Sequence, residues 1–163
     1  MWVNTVAFSI LDTLLVVAVA ANGLLAGLFF SFTCAIAPAF RRVDDRVYVQ
    51  AFRAINAAIL NGWFLFVFFA APLAAVVGAV LGLGHETSLP WLIAGAVCSA
   101  LTFGITAAAN VPLNRGLDQA PVGTEAQSRV ARQRFENRWN LWNLARTITS
   151  SGALTLLAIA VTL

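Results

Sequence analysis

The chain has 163 residues, 60% of them hydrophobic and 10% charged, with a mean hydropathy of +0.83. Soluble domains carry about a quarter charged residues, so too little polar surface is present to hold a folded globule in water, and most of the solvent must be lipid. The net charge of +3 rests on ten arginines without a single lysine, confined to two stretches and their flanks; this pattern indicates membrane topology and gives no nucleic-acid signal.

A single all-α domain over residues 1–163 is expected, an integral membrane four-helix bundle. The first apolar segment runs from about Thr5 to Ala37 and is stopped by Pro38 and the Arg41-Arg42 pair. As a helix it would be roughly 50 Å long against a hydrocarbon core of ~30 Å, so it should tilt, kink near Asn22-Gly23 or project from the bilayer. Its start lacks a basic leader and is far longer than a signal peptide's apolar core, so it reads as a retained helix. Gly23 and Gly27 form a small-xxx-small pair suited to close packing. The second segment, about Ala54 to Leu81, contains Pro72 as an expected kink. The third, Pro90 to Asn110, fits one crossing. The fourth, Leu144 to Leu163, is diluted by Thr147, Thr149, Ser150 and Ser151.

The connection before the fourth span is long. Pro112 and Pro121 bracket a turn-rich start, and Gly123-Thr124-Glu125 reads as a helix entry, from which an amphipathic extension can run through Asn143 into the span. All the arginines belong to the first and third connections or their immediate flanks, whereas the Gly82–Leu89 connection has none. The positive-inside rule therefore expects an inner-membrane, multi-pass protein with arginine-rich loops in the cytoplasm and both termini outside. No internal repeat is evident.

Polar residues within hydrocarbon cost several kcal/mol unless paired, so they mark helix contacts or a site. Asn56 and Asn61 open the second segment, Asn110 closes the third, Asn143 opens the fourth, and Asn22 lies mid-span in the first. At about 100° per residue, Glu136, Asn140, Asn143, Thr147 and Ser150 share one helical stripe, edged by Trp139 and Arg146 with Phe135 and Trp142 beyond. Such a stripe either lines a pocket or anchors the helix at the interface, with tryptophans at headgroup level and arginines snorkelling. Cys34 and Cys98 read as apolar packing residues, and His85 as a solvated loop residue away from the cluster. The sequence offers no HExxH, CxxC, P-loop or GxGxxG, and no histidine or thiolate set for a transition metal. Asp12 reads as a solvated helix end, and Asp44 and Asp45 as surface partners of arginine. Asp118 and Glu136 are the carboxylates nearest the candidate mouth, available either as bases or as partners of arginines.

The run Asn110-Val-Pro-Leu-Asn114-Arg-Gly-Leu117, followed by Trp139-Asn-Leu-Trp142-Asn143-Leu-Ala-Arg146, resembles the anthrone oxygenase-like family, and Gly27, Phe30 and Pro38 resemble its opening segment. The resemblance implies oxidation of anthrones to anthraquinones by molecular oxygen, with no metal or flavin cofactor. It also implies a hydrophobic aromatic small molecule as partner besides the lipid bilayer. On that basis Arg146 would stabilise the enolate, Asn110, Asn114 and Asn143 would hydrogen-bond the carbonyl and peroxide, and Trp139 and Trp142, with Asn140, would hold the flat ring. Glu136, with Asp118 second, would take the proton. A non-enzymatic membrane protein that binds a lipid or quinone, or scaffolds a partner, is the alternative, with the asparagines as interhelical glue. So thin a bundle is compatible with a homo-oligomer, which no motif specifies.

Overall fold

The computed structural model describes residues 2–163, with side chains from Ile10 onward. Its elements in chain order are α1 (Trp2–Ser31), a π-helical turn (Phe32–Ile36), α2 (Ala37–Phe40), α3 (Asp45–Ile59) and α4 (Gly62–Leu81). After the Gly82–Gly84 turn come α5 (Leu89–Ile105), a second π-helical turn (Thr106–Asn110), α6 (Val111–Gln119) and α7 (Glu125–Val161). Four stretches are long and apolar enough to cross a membrane: Ile10–Phe40, Gly62–Gly84, Leu89–Gln119 and Glu125–Val161. α1 and α5 each pack against both α4 and α7, which closes the spans into a four-helix bundle. One end carries the Gly82–Leu89 connection. The other carries α3, α6, the first turns of α7 and most of the arginines.

Away from the arginine end the helices meet through small residues. Ala18, Ala74, Ala75, Ala79 and Ala96 pack with Leu11, Leu15, Leu92 and Leu157. Gly95 lets α7 approach closely: a Cβ there would lie 2.7 Å from Leu157 Cγ. The expected close approach at Gly23 and Gly27 is not what holds α1. A Cβ at Gly23 would make an ordinary 3.5 Å contact with Leu154, and one at Gly27 would meet nothing within 4 Å.

Several boundaries differ from the sequence reading, for local reasons. The segment expected to open at Ala54 divides at Leu60-Asn61. Asn61 caps α4 by accepting from Phe64 N at 3.0 Å, and everything before it belongs to the separate helix α3. α3 is amphipathic: Tyr48, Val49, Phe52 and Asn56 face inward, and Asp44 caps its start by accepting from Val47 N at 2.8 Å. The first and third spans run through their prolines instead of stopping. Pro38 and Pro112 have no amide hydrogen and crowd the carbonyl one turn back, so the preceding turn widens: Ala37 N bonds Phe32 O, and Val111 N bonds Thr106 O. α1 passes unbroken through Asn22-Gly23, and the irregularity sits at Phe32–Ile36. α7 begins at the Thr124 cap, completed by a reciprocal Gln127 contact, and continues through the fourth span. Cys34 is exposed and does not pack in the interior; Cys98 is half-buried.

The two halves of the chain also share a plan that the sequence does not display as a repeat. Each has a span, a π-helical turn, a proline two residues later, and a helix end capped by an arginine from the other half. Arg132 Nη2 donates to Phe40 O at 2.8 Å and its Nη1 to Val43 O at 3.0 Å. Arg53 Nη2 donates to Leu117 O at 2.6 Å and Ala120 O at 2.7 Å. Chain-terminal carbonyls of a helix lack intrahelical donors, and a guanidinium fork satisfies them with charge-assisted bonds.

Candidate functional site

The site is built on the inward face of α7. Phe135, Trp139, Asn143, Arg146, Thr147 and Ser150 recur at three- and four-residue spacing, and all are buried. Asn143 ties α7 to the first span: its Nδ2 donates to Phe29 O at 3.0 Å and to Thr33 Oγ1 at 2.9 Å. Its Oδ1 accepts from Arg146 Nη2 at 2.9 Å. Thr33 Oγ1 lies 3.2 Å from Thr147 Oγ1, and Thr147 and Ser150 bond back to the carbonyls of Asn143 and Arg146. Phe29 and Thr33 are participants that sequence reading missed. Their signal was a hydroxyl one turn from an aromatic in an otherwise apolar span.

Arg146 is 5% exposed, and its guanidinium carbon sits 4.2 Å from the Phe29 ring centroid and 5.2 Å from that of Trp139. Among the described residues it has no acidic partner, and its Nε makes no hydrogen bond. A cation held in this way retains attraction to the ring quadrupoles and one neutral hydrogen bond, which together offset only part of its lost hydration. Asn110, 1% exposed, leaves both amide atoms unpaired. Two cross-links set the register of the third span on α7: Trp139 Nε1 donates to Asn114 Oδ1 at 2.9 Å, and Thr102 and Thr149 hydroxyls meet at 2.7 Å. Between those points, Asn110 and Thr106 stand at the level of Asn143 and Arg146. A buried cation with an unused N–H and a buried amide with unused donor and acceptor therefore share one layer of the bundle.

The remaining expected site residues are placed elsewhere. Asn114 is engaged by the Trp139 indole. Trp139, 5% exposed, is wedged among Phe32, Phe52 and Phe135, with centroid separations of 5.2, 4.8 and 6.1 Å, so only part of its ring faces Arg146. Trp142 is 39% exposed and points outward, beside Gly104 and Ala108. Asn140 is half-buried at the edge of the stripe. Glu136 accepts from Arg132 Nε at 2.7 Å. It stands ten residues, roughly 15 Å of helix rise, before Arg146, so the geometry does not support it as proton acceptor there. It shares the stripe, but Arg132 one turn earlier claims it. Asp118 is exposed on α6. Next to this ion pair, burial first and the Glu136 charge second push the Tyr48 phenol above its ordinary range, so it stays neutral.

The larger cavities lie away from Arg146. One of about 600 Å³ opens between α6 and the first turns of α7, lined by Leu113, Gly116, Leu117, Ala131, Arg134 and Arg138 among others. No group of three or more His, Cys, Asp or Glu side chains placed to hold a metal ion occurs among the described residues. Comparison with known proteins returns the family model described as anthrone oxygenase, matched over residues 62–156, while no curated protein and no solved structure matches. That match contains Asn110, Asn114, Trp139, Asn143 and Arg146, and it covers more than half of the 163 residues. The chain is a four-span helical protein that belongs to the anthrone oxygenase family.

Proposed function

We propose that the protein is a membrane oxygenase that oxidises a flat, anthrone-like phenolic compound with molecular oxygen as co-substrate and no bound cofactor, at the layer formed by Arg146, Asn143 and Asn110. The observation that carries this reading is the buried guanidinium without an acidic partner, its Nε unused, in the same layer of the bundle as an amide with both atoms unused. Natural interiors rarely retain such groups unpaired. An enolate oxygen would accept from the Arg146 Nε–H and the Asn110 Nδ2–H.

The chemistry asks little else of the chain. Loss of one proton from the methylene of an anthrone leaves a carbanion delocalised onto the carbonyl oxygen, and Arg146 favours that anion in a water-poor site. Two electrons pass from the anion to dioxygen as the carbon–oxygen bond forms, and proton uptake gives the hydroperoxide. Loss of the second C–H proton with cleavage of the O–O bond places one oxygen atom in the quinone and the other in water. With Glu136 held by Arg132, the substrate enters already as its enolate, ionised before binding. In the same reading the arginine-bearing end faces the cytoplasm of an inner-membrane protein, and both termini lie outside.

Purified protein in lipid nanodiscs, given an anthrone under oxygen, should form quinone with one oxygen consumed per quinone, and Asn143→Ala should lower the rate at least tenfold. Quinone appearing no faster than in protein-free nanodiscs would sink the proposal. The second reading, a non-enzymatic binder of a lipid or quinone, draws on the closed packing of Trp139. Under it Asn143→Ala lowers stability alone.

A further inference from the structure

We propose that the cavity between α6 and the first turns of α7 is a binding site for an amphiphile with an anionic head, a carboxylate or a phosphate, joined to an apolar body. The inference stands apart from the oxygenase reading, because the Trp139–Asn114 hydrogen bond lies between this cavity and Arg146.

The volume of about 600 Å³ is within the range of small-molecule sites. Its walls are mostly apolar, with Pro112, Leu113, Leu117, Val130 and Phe135 among them. Charge enters from one direction only: Arg134 and Arg138 line it, and no acidic residue does. These two stand one helical turn apart on the same face, close enough to bracket a single head group. Neither has a hydrogen-bond or ion-pair partner among the described residues. The neighbouring face of α7 is the contrast: Arg129 and Arg132 are matched there by Asp45, Glu125 and Glu136. The four arginines in the first turns of α7 thus divide into a neutralised pair and a free pair, and the free pair faces the cavity.

Arg53 adds to the positive field. Its guanidinium donates to the carbonyls of Leu117 and Ala120, both lining residues. The helix-end carbonyls that would repel an anion are therefore already covered. Guanidinium forks suit carboxylate and phosphate oxygens alike, and an apolar wall beside them selects against simple inorganic anions.

Two probes separate the sources of such an anion. Protein in neutral detergent is titrated with anthracene-2-carboxylate, followed by its fluorescence, and separately with phosphatidylglycerol, followed by the rise in unfolding temperature. Saturable binding of either anion is expected, weakened at least about tenfold by Arg134→Gln/Arg138→Gln, the loss appropriate to charge-assisted bonds. Gly116→Leu, placed where a Cβ meets nothing within 4 Å, should fold normally and block the cavity. Arg129→Gln, on the neutralised face, should change affinity less than twofold. Binding of phosphatidylglycerol alone assigns the site to a lipid head group, and binding of the carboxylate assigns it to a free amphiphilic acid. The proposal is overturned if anthracene-2-methanol and phosphatidylcholine bind as well as the anions. It is equally overturned if neither the arginine pair nor Gly116→Leu alters binding.

Discussion

The half of the bundle nearest the Gly82–Leu89 connection and the half nearest the arginines are held together by different physics. In the first, alanine, leucine and glycine fit by shape, with Gly82 against Leu92 and Gly95 against Leu157 as close approaches. Lipid tails are as apolar as leucine, so only close packing favours helix contact there. In the second, Phe32, Tyr48, Phe52, Phe135 and Trp139 form an aromatic wedge, and guanidinium forks close the helix ends. Between the two lies the layer where Arg146 and Asn110 keep unused hydrogen-bonding groups. The contrast teaches that stability is supplied on both sides of this layer and drained within it.

That division ranks the changes in stability expected on substitution. Gly95→Leu should cost about 3 kcal/mol in reversible unfolding from mixed micelles, because the added side chain enters space that Leu157 fills. A loss below about 1 kcal/mol would mean the apolar half is loosely packed. Arg132→Gln and Arg53→Gln should each cost about 2 kcal/mol, since each releases two helix-end carbonyls. Arg132→Gln should be the worse of the two, as it also leaves Glu136 without its partner. Asn110→Leu should stabilise by about 1 kcal/mol, an apolar side chain replacing an unpaired buried amide of similar volume. Gly27→Ala should gain a few tenths of a kcal/mol from helix propensity, since its Cβ meets nothing.

Much of the fold was legible from hydropathy and arginine placement alone, because a bilayer imposes length and composition on each span. The break at Leu60-Asn61 was not, since the apolar face of α3 runs straight into α4 and only the Asn61 cap separates them. Pro38 read as a stop and Pro112 as the edge of a turn-rich stretch, because a proline's effect depends on whether the preceding turn can widen, and that is settled by packing. Arg53 and Arg132 were hidden among arginines that all report topology, though these two also cap helices. Within the site, Asn143 and Arg146 could be paired from helical spacing, as both lie on α7. Phe29 and Thr33 could not, because the contact joins residues more than a hundred positions apart. Trp139 and Trp142, close in sequence, divide between core and exterior because Trp142, about 60° round the helix from Trp139, stands at the edge of the buried stripe.

The central claim is that Arg146 is retained for chemistry at no benefit to the fold. Its direct test is Arg146→Met in nanodiscs, with anthrone oxidation and unfolding free energy measured on the same preparation. The account predicts stability within about 1 kcal/mol of the parent, an apolar side chain replacing an unpaired buried charge. It also predicts turnover reduced by about a hundredfold or more, the scale of losing one preorganised charge-stabilising donor. Turnover equal to the parent, or a loss of activity that tracks an equal loss of folded protein, would contradict it.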